Sequence, residues 1–363
     1  MSKINVAVLG VCGRGGFAWI AQSILRELEN HPYFQVTAVI AERSSLEGMK
    51  LGEGLDKWYE DRPLSSELSD LRLLPPDVEV LRANSNIGLV ISALPPQLSQ
   101  VLDPQLAAGG IPVISESPGL RGEPDIPLIV PEINADHLEL IRAQQRGRGW
   151  DTGFIIANPG CTFTILALAL KPILDIVGIN GAVITTMQAI SGAGPDAIAG
   201  MAIIDNIIPF IPQEEFKLEL EIPKILGKID GDKLIPAEIS WSATCCRVPV
   251  LDGHTAVVAL ECNATISLDE AIDAWRCFSG PPQSMSFPGA SNPVIEVMQD
   301  EDRPQPRLDR MNGLGRRITI GRVRINKTVK NGITFIVVGH NRYRGTYGNT
   351  ILNAELLFRS GLL

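Results

Sequence analysis

The stretch INVAVLGVCGRGGFAWIAQSILREL, from Ile4 to Leu28, constrains the fold more than any other part of the chain. Apolar residues run from Ile4 to Leu9 and lead straight into a turn with glycines at Gly10, Gly13, Gly15 and Gly16. A helical segment follows and closes near His31-Pro32, and FQVTAVIA reads as a second strand. Strand, glycine turn, helix and strand in that order form the first unit of a nucleotide-binding α/β fold. Gly10 and Gly13 suit a tight turn and the close approach of a pyrophosphate, and Gly16 suits helix-against-sheet packing. The phosphate would sit at the helix N-terminus. The expected architecture is α/β, with an N-terminal Rossmann-type dinucleotide-binding domain and a second α/β domain built on a mixed sheet.

The alternation continues. VEVLR is a strand candidate, and NIGLVISALPP is a clear one that puts Ser92 at the C-terminal edge of the sheet, where such folds bind ligands. QLSQVLDPQLAAG is helical and IPVISES is a strand. IPLIVPEINADHLELIRAQQRG adds a strand and a helix capped by Asn134 or Asp136. Past FIIANPG the pattern changes to an apolar helix, ILALALKPILDIVG, and a long strand, GAVITTMQAIS. ISWSATCCRVPVL and HTAVVALECNA look like paired strands, and ITIGRVRIN and ITFIVVGHN are strands again. The expected division is a dinucleotide-binding domain over 1–157, completed by the C-terminal segment 340–363, and a catalytic domain over 158–339.

Composition narrows the function. The 363 residues suffice for two domains, and the 45% apolar, 20% charged balance is that of a packed globular protein. A net charge of −9 without long basic runs argues against nucleic acid as a partner. The N-terminus has no signal-peptide pattern and no apolar run reaches membrane-spanning length, so a soluble cytoplasmic protein is expected, with no membrane partner. The six cysteines show no CxxC pairing, and no metal-ligand spacing recurs.

One of those cysteines stands apart. Cys161 follows the turn-prone Asn158-Pro159-Gly160 and precedes a helix. A thiolate there is favoured by the helix dipole and by free backbone N–H groups, which would also steady an oxyanion. A nucleophile of this kind needs a base. Of the four histidines, His254, in the turn LDGHT, is the first candidate and His340 the second. His31 is expected at the surface and His137 within a helix. Arg247 lies seven residues before His254, and its planar fork suits a carboxylate. Arg121, after the turn SPG, suits a phosphate or a cofactor. A dinucleotide site, a cysteine and a histidine together suggest thiolate attack on an aldehyde, hydride transfer, and release of a thioester to phosphate or a thiol.

Read in order, GVCGRGG, SALP, IPLIVPEINADHLELI, NPGCT, TMQAISGAG, IIPFIPQEE, RVPVLDGHT, DRPQPRLDR and GRVR resemble the aspartate-semialdehyde dehydrogenases of archaeal and fungal type, over almost the whole chain. The resemblance implies the reversible, NADP-dependent interconversion of L-aspartate 4-semialdehyde plus phosphate with 4-phospho-L-aspartate, a step toward lysine, threonine, methionine and isoleucine. It implies Cys161 as nucleophile, His254 as acid/base and Gln188 as a substrate-orienting residue. It further implies Arg247 on the substrate carboxylate, Glu214 and Lys217 on the substrate amine and phosphate, and Arg121 at the phosphate. Gly192 joins Gly10, Gly13, Gly16 and Ser92 as implied cofactor contacts. A homodimer or homotetramer built on the second domain is also implied, with the last helix returning to the first domain.

The departures from that pattern matter. Gly160 stands where the family has Asn, and Glu116 lies in SESPGLR where the family has a segment like SNAS. Thr346-Tyr347 replace small residues, and Pro195-Asp196 stand where a tyrosine is usual. These leave open a related acyl reductase that uses a CoA thioester, and a binding protein without activity. For the cofactor, Glu42 would accept the ribose hydroxyls of NAD, whereas Arg43, Ser44 and Ser45 would hold the 2′-phosphate of NADP. The resemblance favours NADP.

Overall fold

The computed structural model describes residues 3–41 and 43–363, so the expectation for Glu42 lies outside the described residues. Six strands form the first sheet: β1 (Ile4–Leu9), β2 (Phe34–Ile40), β3 (Leu73–Leu74), β4 (Leu89–Ser92), β5 (Val113–Ser115) and β6 (Ile155–Ala157). Their spatial order is β3-β2-β1-β4-β5-β6, and every pairing is parallel. This is the doubly wound order, with its switch point between β1 and β4. Helices α1 (Gly16–Leu28), α2 (Val78–Ser85), α3 (Pro96–Ala108) and α4 (Leu140–Arg148) lie along this half of the chain.

Helix α5 (Cys161–Val177) then opens the second half. The strands that follow are β7 (Ile179–Gln188), the small hairpin β8 (Lys228–Asp230) and β9 (Lys233–Ile235), β10 (Ser240–Arg247), β11 (His254–Cys262), β12 (Ile295–Val297), β13 (Ile318–Asn326) and β14 (Gly332–Gly339). Helices α6 (Glu214–Ile225), α7 (Leu268–Cys277) and α8 (Tyr347–Arg359) are the longer helices of this half, beside several single-turn ones. The second sheet runs β10-β7-β11-β14-β13-β12. Its outer pairs are parallel and its inner pairs antiparallel, so it is the expected mixed sheet.

Apolar side chains explain these elements. The inward face of α5 buries Phe163, Ile165, Leu166, Leu168, Leu170 and Ile173 against one core. The last helix, α8, does not stay with the second sheet. Its Ile351, Leu352, Leu356 and Leu357 pack with Val6, Ile24 and Phe34 of the first half. Burying each such side chain contributes about 1.5–3 kcal/mol. Polar anchors fix the same docking. Arg344 pairs with Glu132 at 2.8 Å, both almost fully buried. Asn349 donates to Asn158 Oδ1 at 2.6 Å and to Ile129 O at 2.9 Å.

Four expectations require correction. VEVLR is the start of helix α2, because the Asp77 carboxylate accepts from Glu79 N and Val80 N and caps it. The strands β10 and β11 are not partners, since β7 lies between them and pairs with both. IPLIV contributes only a single bridge, Leu128 to Ala157, and neither Asn134 nor Asp136 caps the helix as expected; the Asn134 side chain instead closes a turn by accepting from Val130 N. His31 is buried, with Nε2 2.9 Å from a carboxylate oxygen of Glu355 on α8, so it belongs to the docking of the last helix.

Candidate functional site

Two sheet edges converge on one cleft. The first sheet delivers Cys161, because β6 ends at Ala157 and the turn Asn158-Pro159-Gly160 leads into the first residue of α5. The second sheet delivers three polar side chains from neighbouring strands. Gln188 ends β7, Arg247 ends the parallel β10 opposite it in register, and His254 begins the antiparallel β11. The cleft has a volume of about 360 Å³ and is lined by Cys161, Arg121, Gln188, Glu214, Lys217 and Arg247 among others.

His254 Nε2 lies 3.3 Å from Cys161 Sγ. The backbone N–H of Ala189 donates to the other ring nitrogen, Nδ1, at 3.0 Å. Nδ1 is therefore an acceptor, and the neutral ring carries its proton on Nε2, facing sulfur. Burial, with Arg247 and His340 nearby, holds the His254 pKa well below the usual histidine range. The ring is thus a neutral donor to sulfur, which revises the expectation of a general base. His340, the second candidate, is buried next to Gly339, the residue that pairs with His254 across β11 and β14. Its Nδ1 accepts from Arg342 N at 3.2 Å, and burial lowers its pKa to about 4. Gly192 has no room for a side chain, because a Cβ there would lie 2.7 Å from His254 Cε1 and 2.9 Å from an Arg247 nitrogen.

Burial dominates the thiol. It pushes the Cys161 pKa up to about 11, with Glu214 adding to the rise and Arg247 and Arg121 opposing it. Burial thus opposes the thiolate that the helix terminus favours, although the side chain is only half-buried at the cleft wall. Glu214 is itself held in place, accepting from Gln188 Nε2 at 3.1 Å and from Thr162 Oγ1 at 3.3 Å, with Lys217 Nζ at 3.9 Å. Arg247 donates to Ala189 O at 2.8 Å, which fixes its guanidinium beside His254.

Arg121 is almost fully buried and is oriented by two acceptors. It donates to Glu221 Oε1 at 3.2 Å and to the backbone oxygen of Glu116 at 2.8 Å, and its Nε has no partner. Glu221 was not foreseen. Its other carboxylate oxygen accepts from Gly160 N at 2.7 Å, so one buried side chain fixes both Arg121 and the turn before Cys161. It lies seven residues after Glu214 on α6, two helical turns along the same face, and that spacing is the signal that would have found it. Gly160 also has a local cause. A Cβ there would stand 2.7 Å from the Phe163 ring, so the aromatic side chain fills the space beside the turn.

Glu116 turns away from that guanidinium. Its carboxylate accepts from Thr350 Oγ1 and from Asn158 Nδ2, and burial raises its pKa to about 7. A carboxyl group ordinarily titrates near 4.5, so between about pH 4.5 and 7 the folded chain holds a proton that the unfolded chain releases. Stability falls as pH rises through that window, by up to about 3 kcal/mol. Glu116→Gln keeps the shape without the titration. Urea midpoints at pH 5 and pH 8 are expected to differ for the parent and to move closer together in this variant. Equal differences in both would show that Glu116 carries no such linkage.

The expected cofactor residues line the switch point. Gly10 has φ +99°, and a Cβ there would lie 2.1 Å from Ala93 O, so only glycine lets β1 turn beneath the end of β4. Gly13 lies in the same turn and Gly16 begins α1. Arg43, Ser44 and Ser45 are exposed after β2, with Arg43 3.4 Å from Asp56. Ser92 is fully buried, and its hydroxyl faces the buried Asp103 rather than the groove. Among the described residues no His, Cys, Asp and Glu group is arranged to hold a metal, and no helix is long and apolar enough to cross a membrane.

Comparison with known proteins agrees with this arrangement. Residues 5–141 match the family described as semialdehyde dehydrogenase, NAD binding domain, and residues 170–343 match semialdehyde dehydrogenase, dimerisation domain. The aspartate-semialdehyde dehydrogenase of Methanothermobacter thermautotrophicus is 40% identical, covering 98% of this chain and 99% of the relative. A protein named malonyl CoA reductase (NADP), from Metallosphaera sedula, is 31% identical over 99% of this chain and 98% of its own. The crystal structure of aspartate semialdehyde dehydrogenase with NADP from Candida albicans superimposes with a TM-score of 0.88, at 30% identity, covering 99% of this chain and 100% of that one.

Proposed function

Because this chain belongs to the aspartate-semialdehyde dehydrogenase family, we propose that it reduces 4-phospho-L-aspartate to L-aspartate 4-semialdehyde and phosphate, reversibly, through a thioester on Cys161. The observation that carries this reading is the contact of Cys161 Sγ with His254 Nε2 at 3.3 Å, in a cleft that also holds Arg121 and Arg247. A nicotinamide dinucleotide, when bound, supplies the hydride.

The chain's own groups divide the remaining work. Arg247 holds the substrate α-carboxylate by its planar fork. Glu214, fixed by Gln188 and Thr162, receives the substrate ammonium. Arg121 and Lys217 face the phosphate, and the unpartnered Nε of Arg121 is a buried donor ready for one of its oxygens. Cys161 sulfur attacks the acyl carbon, the C–O bond to phosphate breaks, and the thiol proton leaves on the phosphate. The Nε2–H of His254 steadies sulfur as thiolate and then the oxygen of the tetrahedral adduct. After hydride reaches the thioester carbon, the C–S bond breaks and the aldehyde is released. The sulfur returns to thiol by taking a proton from water.

NADP is the proposed cofactor, with Arg43, Ser44 and Ser45 around its 2′-phosphate. The exposed Val183 of β7 lies on the outer face of the second sheet, which supports assembly of the cytoplasmic enzyme as a homodimer or homotetramer through this domain. A second reading, reduction of a CoA thioester, is favoured by the buried Glu116 carboxyl and by Gly160 in place of an amide side chain beside the thiol. One assay separates them. In the oxidative direction, with aspartate semialdehyde and NADP, phosphate is expected to support turnover and CoA is not. Turnover with CoA alone would replace the first reading by the second.

A further inference from the structure

The last backbone donor of the glycine-rich turn already has a partner within the chain. Gly15 is the residue before α1, so its N–H belongs to the helix start at which a dinucleotide phosphate is expected to dock. That N–H instead donates to Tyr59 Oη at 3.0 Å. Tyr59 Oη can then offer its own proton, and it does so to Asp196 Oδ2 at 2.9 Å. Lys57 Nζ reaches the other oxygen of Asp196 at 3.3 Å and lies 4.8 Å from the Tyr59 ring centre. Asp196 lies beyond β7, in the segment that replaces the family's tyrosine. Its neighbour Gly194, with φ +96°, comes so close to α1 that a Cβ would stand 2.9 Å from Gly16 N. Two separate segments, 57–59 and 194–196, therefore meet over the start of α1.

We infer that Tyr59 and Asp196 form a latch that occupies the phosphate position of the turn and must release it when the dinucleotide binds. The inference rests on the dinucleotide-binding reading of this half of the chain. The phenolic oxygen is an acceptor for the same backbone donor that a pyrophosphate oxygen uses, so the two compete. Release also frees the segment that leads back to Gly192, which packs on His254 and Arg247. Occupancy of the dinucleotide groove is thereby linked to the residues around the thiol.

The test uses the full chain with NADP and NAD as probes, titrated by quenching of tryptophan fluorescence, since the Trp19 ring lies 6.3 Å from that of Tyr59 and Trp58 precedes it in the chain. Tyr59→Phe removes the competing oxygen and retains the ring. It is expected to bind dinucleotide about 3- to 10-fold more tightly. Hydrogen exchange of the peptide containing Gly15 is expected to speed up in the same variant without ligand. Asp196→Asn leaves the Tyr59–Gly15 contact but loses the charge that Lys57 meets, and a smaller tightening is expected. Unchanged or weaker binding by Tyr59→Phe, with the parent binding normally, overturns the latch and makes Tyr59 a bystander or a dinucleotide ligand. A parent chain that binds neither dinucleotide removes the dinucleotide reading itself, a distinguishable result.

Discussion

Cys161→Ala is expected to lower turnover by at least about 10⁴-fold, while dinucleotide binding and the thermal transition change little. Every covalent step proposed here passes through that sulfur, and no other cysteine replaces it. Cys12 and Cys262 are buried in the two cores, Cys245 and Cys246 lie within strand β10, and Cys277 is exposed at the end of α7. The substitution is sterically safe, because alanine is smaller and the nearest constraint is Gly345, where a Cβ would meet Cys161 Cβ at 2.7 Å. The same geometry predicts a slow thiol in the empty enzyme. With a pKa of about 11, only about one part in 10⁴ is thiolate at pH 7. Iodoacetamide is therefore expected to label exposed Cys277 before Cys161. Ligands that replace the water in the cleft and bring Arg121 and Arg247 to bear would change that order. Preserved turnover in Cys161→Ala would remove the thioester from the account.

His254→Ala is expected to lower kcat by about 10²- to 10³-fold with a small change in KM. The ring bonds Cys161 sulfur and the Ala189 N–H rather than a group proposed to hold the substrate, so its loss should fall on the step that forms and collapses the tetrahedral adduct. The pH profile carries the more specific signature. A ring held neutral by the Ala189 N–H does not titrate near 6.5. The rate with free enzyme is expected to rise with pH as the thiol ionises, because deprotonated sulfur is the reactive form. A limb near pH 6.5 that disappears in His254→Ala would mean that imidazolium forms and that the Ala189 contact breaks during turnover.

Much of this site could be read from the chain because its signals are local. Glycines after a short apolar strand, a cysteine between Pro-Gly and an apolar helix, and a histidine and an arginine on nearby strand ends are all visible without tertiary contacts. The mixed sheet followed from apolar patterning in the same way, whereas the return of the last helix came from the family resemblance and not from the pattern. Partners distant in sequence did not. Glu221 reaches Gly160 across 61 positions, and Tyr59 reaches Asp196 across 137. The insertion of β7 between β10 and β11 depends on how three apolar strands share a sheet, which their individual patterns do not encode. VEVLR failed for a different reason. Its β-branched residues favour a strand, but the Asp77 cap three positions before Val80 outweighs that preference. The tautomer of His254 was also invisible, because it is set by a backbone N–H at Ala189.

The central claim is that Cys161 carries the acyl group. Its most direct test is the intact mass of the protein after brief mixing with 4-phospho-L-aspartate in the absence of any dinucleotide. The account predicts an added aspartyl group, lost on treatment with hydroxylamine, mapped to Cys161 and missing from Cys161→Ala. An unmodified parent protein that still turns over once dinucleotide is supplied would contradict it.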